Sequence, residues 1–165
     1  MKKSSNKSNR KQGSKIIAQN KKAYHDYFIL DKYEAGMSLL GTEVKSIRAG
    51  SVNFKDSFIG FSKGEAFLEN AHISQYSQGS WTNHNPVRKR KLLLHAREIG
   101  KLQKAVETKG ITVVPLKLYE KRGFFKLEIG TAKGKKLYDK RQSLKQKQDD
   151  RDKQRAFKEV NKYSS

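Results

Sequence analysis

Hydrophobic and polar positions follow two different rhythms along residues 24–130. Tyr24 to Leu30 is aromatic and β-branched and is bounded by Asp31 and Lys32, which predicts a strand. Ala35 to Gly41 predicts a second, short one. Thr42 to Arg48 reads as a short helix, with Thr42 as its cap and Gly50 as its stop. Asn53–Phe61 and Ala66–Ile73 are strand-like and flank a polar turn, Ser62–Glu65, so they predict a hairpin. Residues 74–90 are polar, contain Gly79, Trp81 and Asn85-Pro86, and predict a long loop, a feature often functional in a small domain. The clearest helix is 95–109, where Ile99, Leu102 and Val106 recur at helical spacing and Gly110 follows the last turn. Ile111–Tyr119 predicts a strand that Pro115 makes an edge or a bulge. After a turn at Glu120–Gly123, Phe125, Leu127 and Ile129 alternate with Lys126 and Glu128, a strand with one wet face. About six short strands and two helices make the chain mainly β. The connections are too short for parallel crossovers, so antiparallel pairing is expected. A closed or nearly closed barrel hides sheet edges economically at this size, though periodicity alone does not choose its topology.

Both ends break this rhythm. Residues 1–23 hold eight Lys/Arg and no acid, and the only sizeable apolar groups among residues 2–23 are Ile16 and Ile17. Such a segment buries too little surface to offset its ordering entropy, so 1–15 is expected to be a disordered basic arm. Residues 16–132 are then the folded domain, and 133–165 a basic C-terminal tail. Within the tail, Lys140–Val160 lacks Gly and Pro and consists of good helix formers, with opposite charges at helical spacing such as Asp149 with Lys153. Its apolar residues, Leu144, Ala156, Phe157 and Val160, form no continuous face. The expectation is a tail mostly unstructured alone that becomes helical against a partner.

Charge then changes the picture. Among 165 residues, 37 Lys+Arg stand against 16 Asp+Glu, a net charge of +21. The two ends, 1–23 and 131–165, carry 15 of those charges. A polyanionic partner follows. The absence of cysteine excludes disulfide scaffolds, thiol chemistry and Cys-based zinc sites. No stretch approaches the roughly 18 apolar residues of a membrane span. No apolar run follows Lys2-Lys3, so no secretory signal is read, and the expected location is cytoplasmic.

Candidate chemistry is sparse except for cations. Arg88-Lys89-Arg90-Lys91 runs into Leu92-Leu93-Leu94-His95; a solvated loop edge before core leucines competes here with a phosphate-gripping loop, which gives affinity and position but little sequence information. Gly134-Lys135-Lys136-Leu137-Tyr138-Asp139-Lys140-Arg141 combines four bases with an aromatic on which a nucleobase can stack and an acid that can orient the cations. An ordinary charged hinge before a tail is the plain alternative. Glu34 is more often a surface acid than a reader of bases, although a carboxylate accepts from amino groups on a base edge. The four histidines (His25, His72, His84 and His95) show no metal-ligand spacing, and residues 130–136 lack the spacing of a phosphate-binding loop. Catalysis, metals and cofactors are not expected.

Taken together these residues resemble the tmRNA-binding small protein B (SsrA-binding protein) family. The resemblance is carried by Asn20–His25, Tyr33–Gly36, Gly41–Gly50, Arg90–His95, Val113–Tyr119 and Ala132–Arg141, in that order, and spans about 16–160. It implies an oligonucleotide-binding-like antiparallel β-barrel with flanking helices. It further implies binding to the tRNA-like domain of transfer-messenger RNA and delivery to stalled bacterial ribosomes for trans-translation. The tail would sense the empty message channel as a helix, and no bond would be broken by the protein. The implied tmRNA face comprises Asn20, Lys21, Lys22, Glu34, Arg88, Arg90, Lys91, Leu93 and His95. Lys133, Gly134, Lys135, Lys136, Tyr138, Asp139, Lys140 and Arg141 would meet the decoding centre. His95 stands where the family often has Asn, and Tyr138 where it commonly has His, the only one of that second pair able to carry charge near neutral pH. Monomeric behaviour is expected, with no membrane partner. A generic RNA chaperone or ribosome-associated protein is the competing reading from charge alone, and an RNA-acting enzyme ranks last.

Overall fold

The computed structural model describes residues 13–79 and 81–163. In chain order its elements are β1 (Lys15–Gln19), α1 (Lys21–Asp26), β2 (Tyr27–Met37), α2 (Gly41–Arg48), β3 (Val52–Asn53), β4 (Phe58–Ser62), β5 (Glu65–Glu69), β6 (His72–Ile73), β7 (Arg90–Leu93), α3 (Ala96–Glu107), β8 (Ile111–Lys121), β9 (Phe124–Gly134) and α4 (Leu137–Tyr163). Seven strands form one antiparallel sheet in the order β1-β8-β9-β2-β7-β5-β4, and β3 pairs with β6 apart from it.

The chain is thus mainly antiparallel β with flanking helices, as the connection lengths predict. The closed barrel is not found. The sheet curls far enough to bring β4 close to β8, yet no ladder joins them and β1 and β4 remain its edges.

The centre of the sheet is the β8–β9 hairpin with β2 paired along β9. Arg122-Gly123 joins β9 to β8 in a two-residue turn, with both residues at positive φ (53° and 78°). That is the backbone twist a tight hairpin needs, and it lets the strands run further into the predicted turn than propensity suggests. Val113 to Leu116 is buried without a break because β8 is covered on both sides. Val113 and Leu118 enter the main core with Ile47, Ile59, Leu68, Leu92, Leu102 and Leu127. Val114 and Leu116 enter a smaller core with Ala23 and Ala132 beneath α1. Pro115 marks a bulge: the register with β9 shifts between Pro115 and Lys117, and β1 pairs with β8 from Lys117 to Glu120.

Other differences have local causes. Tyr24–Asp26 belongs to α1 because Asn20 caps that helix, its Oδ1 accepting from the Ala23 N–H at 3.2 Å. The strand begins only at Tyr27 and continues past the expected boundary at Asp31-Lys32, where its register with β9 shifts between Ile29 and Lys32. Thr42 is not the cap of α2: the Glu43 carboxylate folds back onto the Leu40 N–H at 2.9 Å, and the Thr42 hydroxyl meets buried His84 at 2.8 Å. Lys15, assigned to the arm, pairs with Glu120 in β1. Residues 1–12 of that arm lie outside the described residues. Within the tail, Leu137–Tyr163 forms one 27-residue helix.

Candidate RNA interface

The sequence nominated two groups of residues, and the structure sorts them into four places. Glu34, Lys91, Leu93 and His95 come together. Gly36 of β2 pairs with Leu93 of β7, so the exposed faces of both strands meet the start of α3 along an open cleft of ≈ 760 Å³ that these four residues line with Lys126 and Glu98. Gly36 matters here because a Cβ at that position would stand 3.2 Å from the Leu93 Cβ. Leu93 is left 56% exposed, an apolar side chain offered to a partner rather than to the core. His95 precedes the first turn of α3, and its N–H donates to the Glu98 carboxylate at 3.1 Å. Lys91 is paired with Glu65 at 2.8 Å but remains half exposed.

Asn20, Lys21 and Lys22 stand apart from that cleft, at α1. Asn20 is occupied by the fold: besides capping α1, its Nδ2 donates to the Pro115 carbonyl at 2.9 Å and its N–H to Leu116 at 2.7 Å, which secures the β8 bulge. Lys21 is exposed, and Lys22 reaches Asp56 at 3.3 Å in the open.

Arg88 and Arg90 form a third place, and here the sequence reading needs correction. Arg90 is fully buried and cannot grip a phosphate. Its Nε donates to Glu43 Oε1 at 2.8 Å, and its two terminal nitrogens donate to the Ala71 and Pro86 carbonyls. Arg88 clamps the same carboxylate with two bonds of 3.1 and 2.7 Å and is one-third exposed. Burial pushes the Glu43 carboxyl up, but the Arg88 bonds, the Leu40 N–H and the Arg90 charge outweigh it, leaving the carboxyl below its ordinary value. Glu43 was not singled out. Its only signal in the sequence is an acid inside the Gly41–Gly50 motif.

The fourth place is the root of the tail. Lys133 and Gly134 end β9, exposed, and Lys136 and Arg141 are exposed beside them. Lys135 and Lys140 are partly turned inward. The Lys135 N–H donates to the Asp26 carbonyl at 2.8 Å, and its Nζ reaches the Tyr24 carbonyl and Ser143 Oγ. Lys140 lies 3.4 Å from the Asp26 carboxylate, which also meets His25 Nδ1 at 2.8 Å. The His25 contact, with Lys140 behind it, holds the Asp26 carboxyl below its ordinary value. Asp139 and Tyr138 lie in the first turn of α4. The Asp26→Ala variant is therefore expected to fray that turn, read as faster amide exchange over 137–143 with the body of the protein unchanged. Unchanged exchange there would show that Asp26 does not hold the tail.

Among the described residues, no three His, Asp or Glu side chains converge on a metal-sized site, and no helix is long and apolar enough to cross a membrane.

The family model for "SmpB protein" matches residues 17–159. The chain belongs to the SmpB family. An SsrA-binding protein from Anoxybacillus flavithermus is 61% identical over 148 residues, which is 90% of this chain and 96% of that relative. One from Geotalea uraniireducens is 59% identical over 148 residues, 90% of this chain and 98% of that protein. A solved chain described by the words "tmRNA-SmpB: a journey to the center of the bacterial ribosome" superposes with a TM-score of 0.63 at 54% identity, covering 73% of this chain and 85% of that one. The matched span of this SmpB-family chain contains the cleft, the buried Glu43 cluster and all of α4 up to Glu159.

Proposed function

We propose that this chain binds the tRNA-like domain of transfer-messenger RNA and carries it to stalled bacterial ribosomes for trans-translation, where its tail reads the vacant message channel. The observation that carries this is the 61% identity to an SsrA-binding protein along 90% of the chain. The geometry supports it with a division of labour. The body, 16–132, offers a cleft with a carboxylate, an exposed leucine and a histidine, a set suited to splayed bases and RNA shape rather than to a duplex groove. Lys21 and Lys22 add phosphate contacts to one side. The second part, 133–165, presents Lys133, Lys136 and Arg141 at its root and a long basic helix beyond. Tyr138, with its flat ring, is assigned to stacking at the decoding centre. The curl of β4 toward β8 supports reading the body as a partly open barrel of the oligonucleotide-binding type. The role is that of an adaptor working beside ribosomes in the cytoplasm, with no chemical step of its own.

Binding of the full chain to the tRNA-like domain and to a DNA duplex at one salt concentration tests this. We expect the RNA to be preferred by at least about 1000-fold, the lower end of specific over non-specific nucleic-acid recognition. Equal affinities would instead favour a generic polyanion binder driven by the +21 charge alone.

A further inference from the structure

The Glu34 carboxylate is held by a side chain two strands away. Tyr119 of β8 is opposite Lys126 of β9, while Glu34 of β2 is opposite Glu128 of the same strand. Tyr119 therefore has to reach across β9, over a span of about 10 Å between the flanking strands, to touch Glu34. It does so: the phenol O–H donates to Glu34 Oε2. A long, rigid ring is the side chain for that reach, and Tyr119 is only 9% exposed along it. Lys121 Nζ approaches the same oxygen at 3.5 Å. Both contacts fall on Oε2, and Glu34 itself lines the cleft, so the carboxylate is held by one oxygen at the edge of that opening.

We propose that Tyr119 is the positioning residue that fixes Glu34 as an ionised, oriented acceptor for a base amino group of the bound RNA. The inference rests on the reading that Glu34 faces RNA. Without the phenol, the carboxylate is free to swing onto the neighbouring lysines, and its geometry toward the cleft is lost. The phenol bond is also the foremost reason the Glu34 carboxyl stands below its ordinary value, ahead of Lys121 and Lys126, while the Tyr119 hydroxyl is pushed up by burial and by the carboxylate. The charged groups around Glu34 are Lys117 and Lys121 from β8, Lys126 and Glu128 from β9, Lys91 from β7, Glu65 from β5, and His95 and Glu98 at α3.

The test measures affinity of the full chain for the tRNA-like domain across the acid range in which carboxylates and histidine titrate. It uses wild type, Tyr119→Phe, Glu34→Gln and the double variant, with thermal unfolding of each. Phe keeps the packing, so Tyr119→Phe is expected to fold, to bind about five- to tenfold more weakly near neutrality, and to lose affinity at a higher pH than wild type. Glu34→Gln is expected to bind as weakly with a flatter acid limb, and the double variant no worse than Glu34→Gln. Weaker binding by Tyr119→Phe with an unmoved acid limb, or losses that simply add in the double variant, would overturn the positioning role. Wild-type binding by Glu34→Gln would instead remove Glu34 from the RNA face. Should Tyr119→Phe fail to fold, Lys121→Met supplies the second arm: it removes the other contact to Oε2, and an acid limb moved in the same direction supports the held carboxylate, an unmoved one refutes it.

Discussion

Glu43→Gln is expected to destabilise the fold by about 3–5 kcal/mol, the cost of breaking a buried ion pair on one side. Arg90 is 0% exposed and keeps its charge at every accessible pH. With an amide in place of the carboxylate it faces neutral oxygens, those of the amide and of the Ala71 and Pro86 carbonyls, and no counter-charge. Arg88 loses the partner of its fork too, but it can turn to water. For a chain of this size the loss corresponds to a fall in Tm of on the order of 10 °C, read by circular dichroism. Arg88→Ala is expected to cost less, about 1–3 kcal/mol. The acid side of the stability curve gives an independent reading. Because the folded carboxyl lies below its ordinary value, its contribution is fully present above the ordinary carboxylate range and is lost as pH falls through the folded value. Glu43→Gln should remove that part of the acid limb. A variant within about 0.5 kcal/mol of wild type, the usual range for surface changes, would mean that the cluster is not what pins α2 to the 86–90 loop.

The same cluster shows how far the sequence could be read. Helical spacing located α3, alternation located β9, strand-like runs around a polar turn located the β4–β5 hairpin, an apolar run located β8 and a stop glycine located α2, all of them local signals. Periodicity has no purchase on residues whose partners are distant in sequence. Glu43 and Arg90 are 47 positions apart, and Arg90 looks like any cation in Arg88-Lys89-Arg90-Lys91 until the loop places it inside. Asn20 was nominated for RNA through its family motif and serves the Pro115 bulge, 95 positions away. Tyr119 was read as the end of an ordinary strand, since its bond to Glu34 depends on register across β9. The cleft itself was half legible: Glu34, Leu93 and His95 were nominated through motifs, whereas their meeting depends on β2 pairing with β7. Strand β1 escaped notice because two isoleucines in a basic segment make no pattern until β8 offers an edge.

Deleting residues 140–165 is expected to leave RNA binding within about fivefold of wild type while reducing peptide tagging on stalled ribosomes to background. The body should tolerate the cut, because the tail is tied down at its root, through Lys135 and Lys140, and every described side chain beyond Leu144 is exposed. The helix has little to hold it in isolation. Its apolar groups, Leu144, Phe157 and Val160, are 52–69% exposed. Pairs such as Gln146 with Asp150 and Gln148 with Asp152 contribute only about 0.2–0.5 kcal/mol each. Such a segment is cheap to order against a polyanionic wall and cheap to release from it, which suits a probe of a channel open only when message is absent. The cut removes nine bases and four acids, so it lowers the general attraction to RNA and the salt dependence of binding somewhat, but touches none of the cleft. A 27-residue helix spans on the order of 40 Å, long enough to reach well beyond the body. Tagging and affinity for the tRNA-like domain, measured on the same truncated protein, separate the two parts. Retained tagging would remove the tail from the ribosomal step, and a collapse of RNA affinity would mean that α4, rather than the Glu34–Leu93–His95 cleft, holds the RNA.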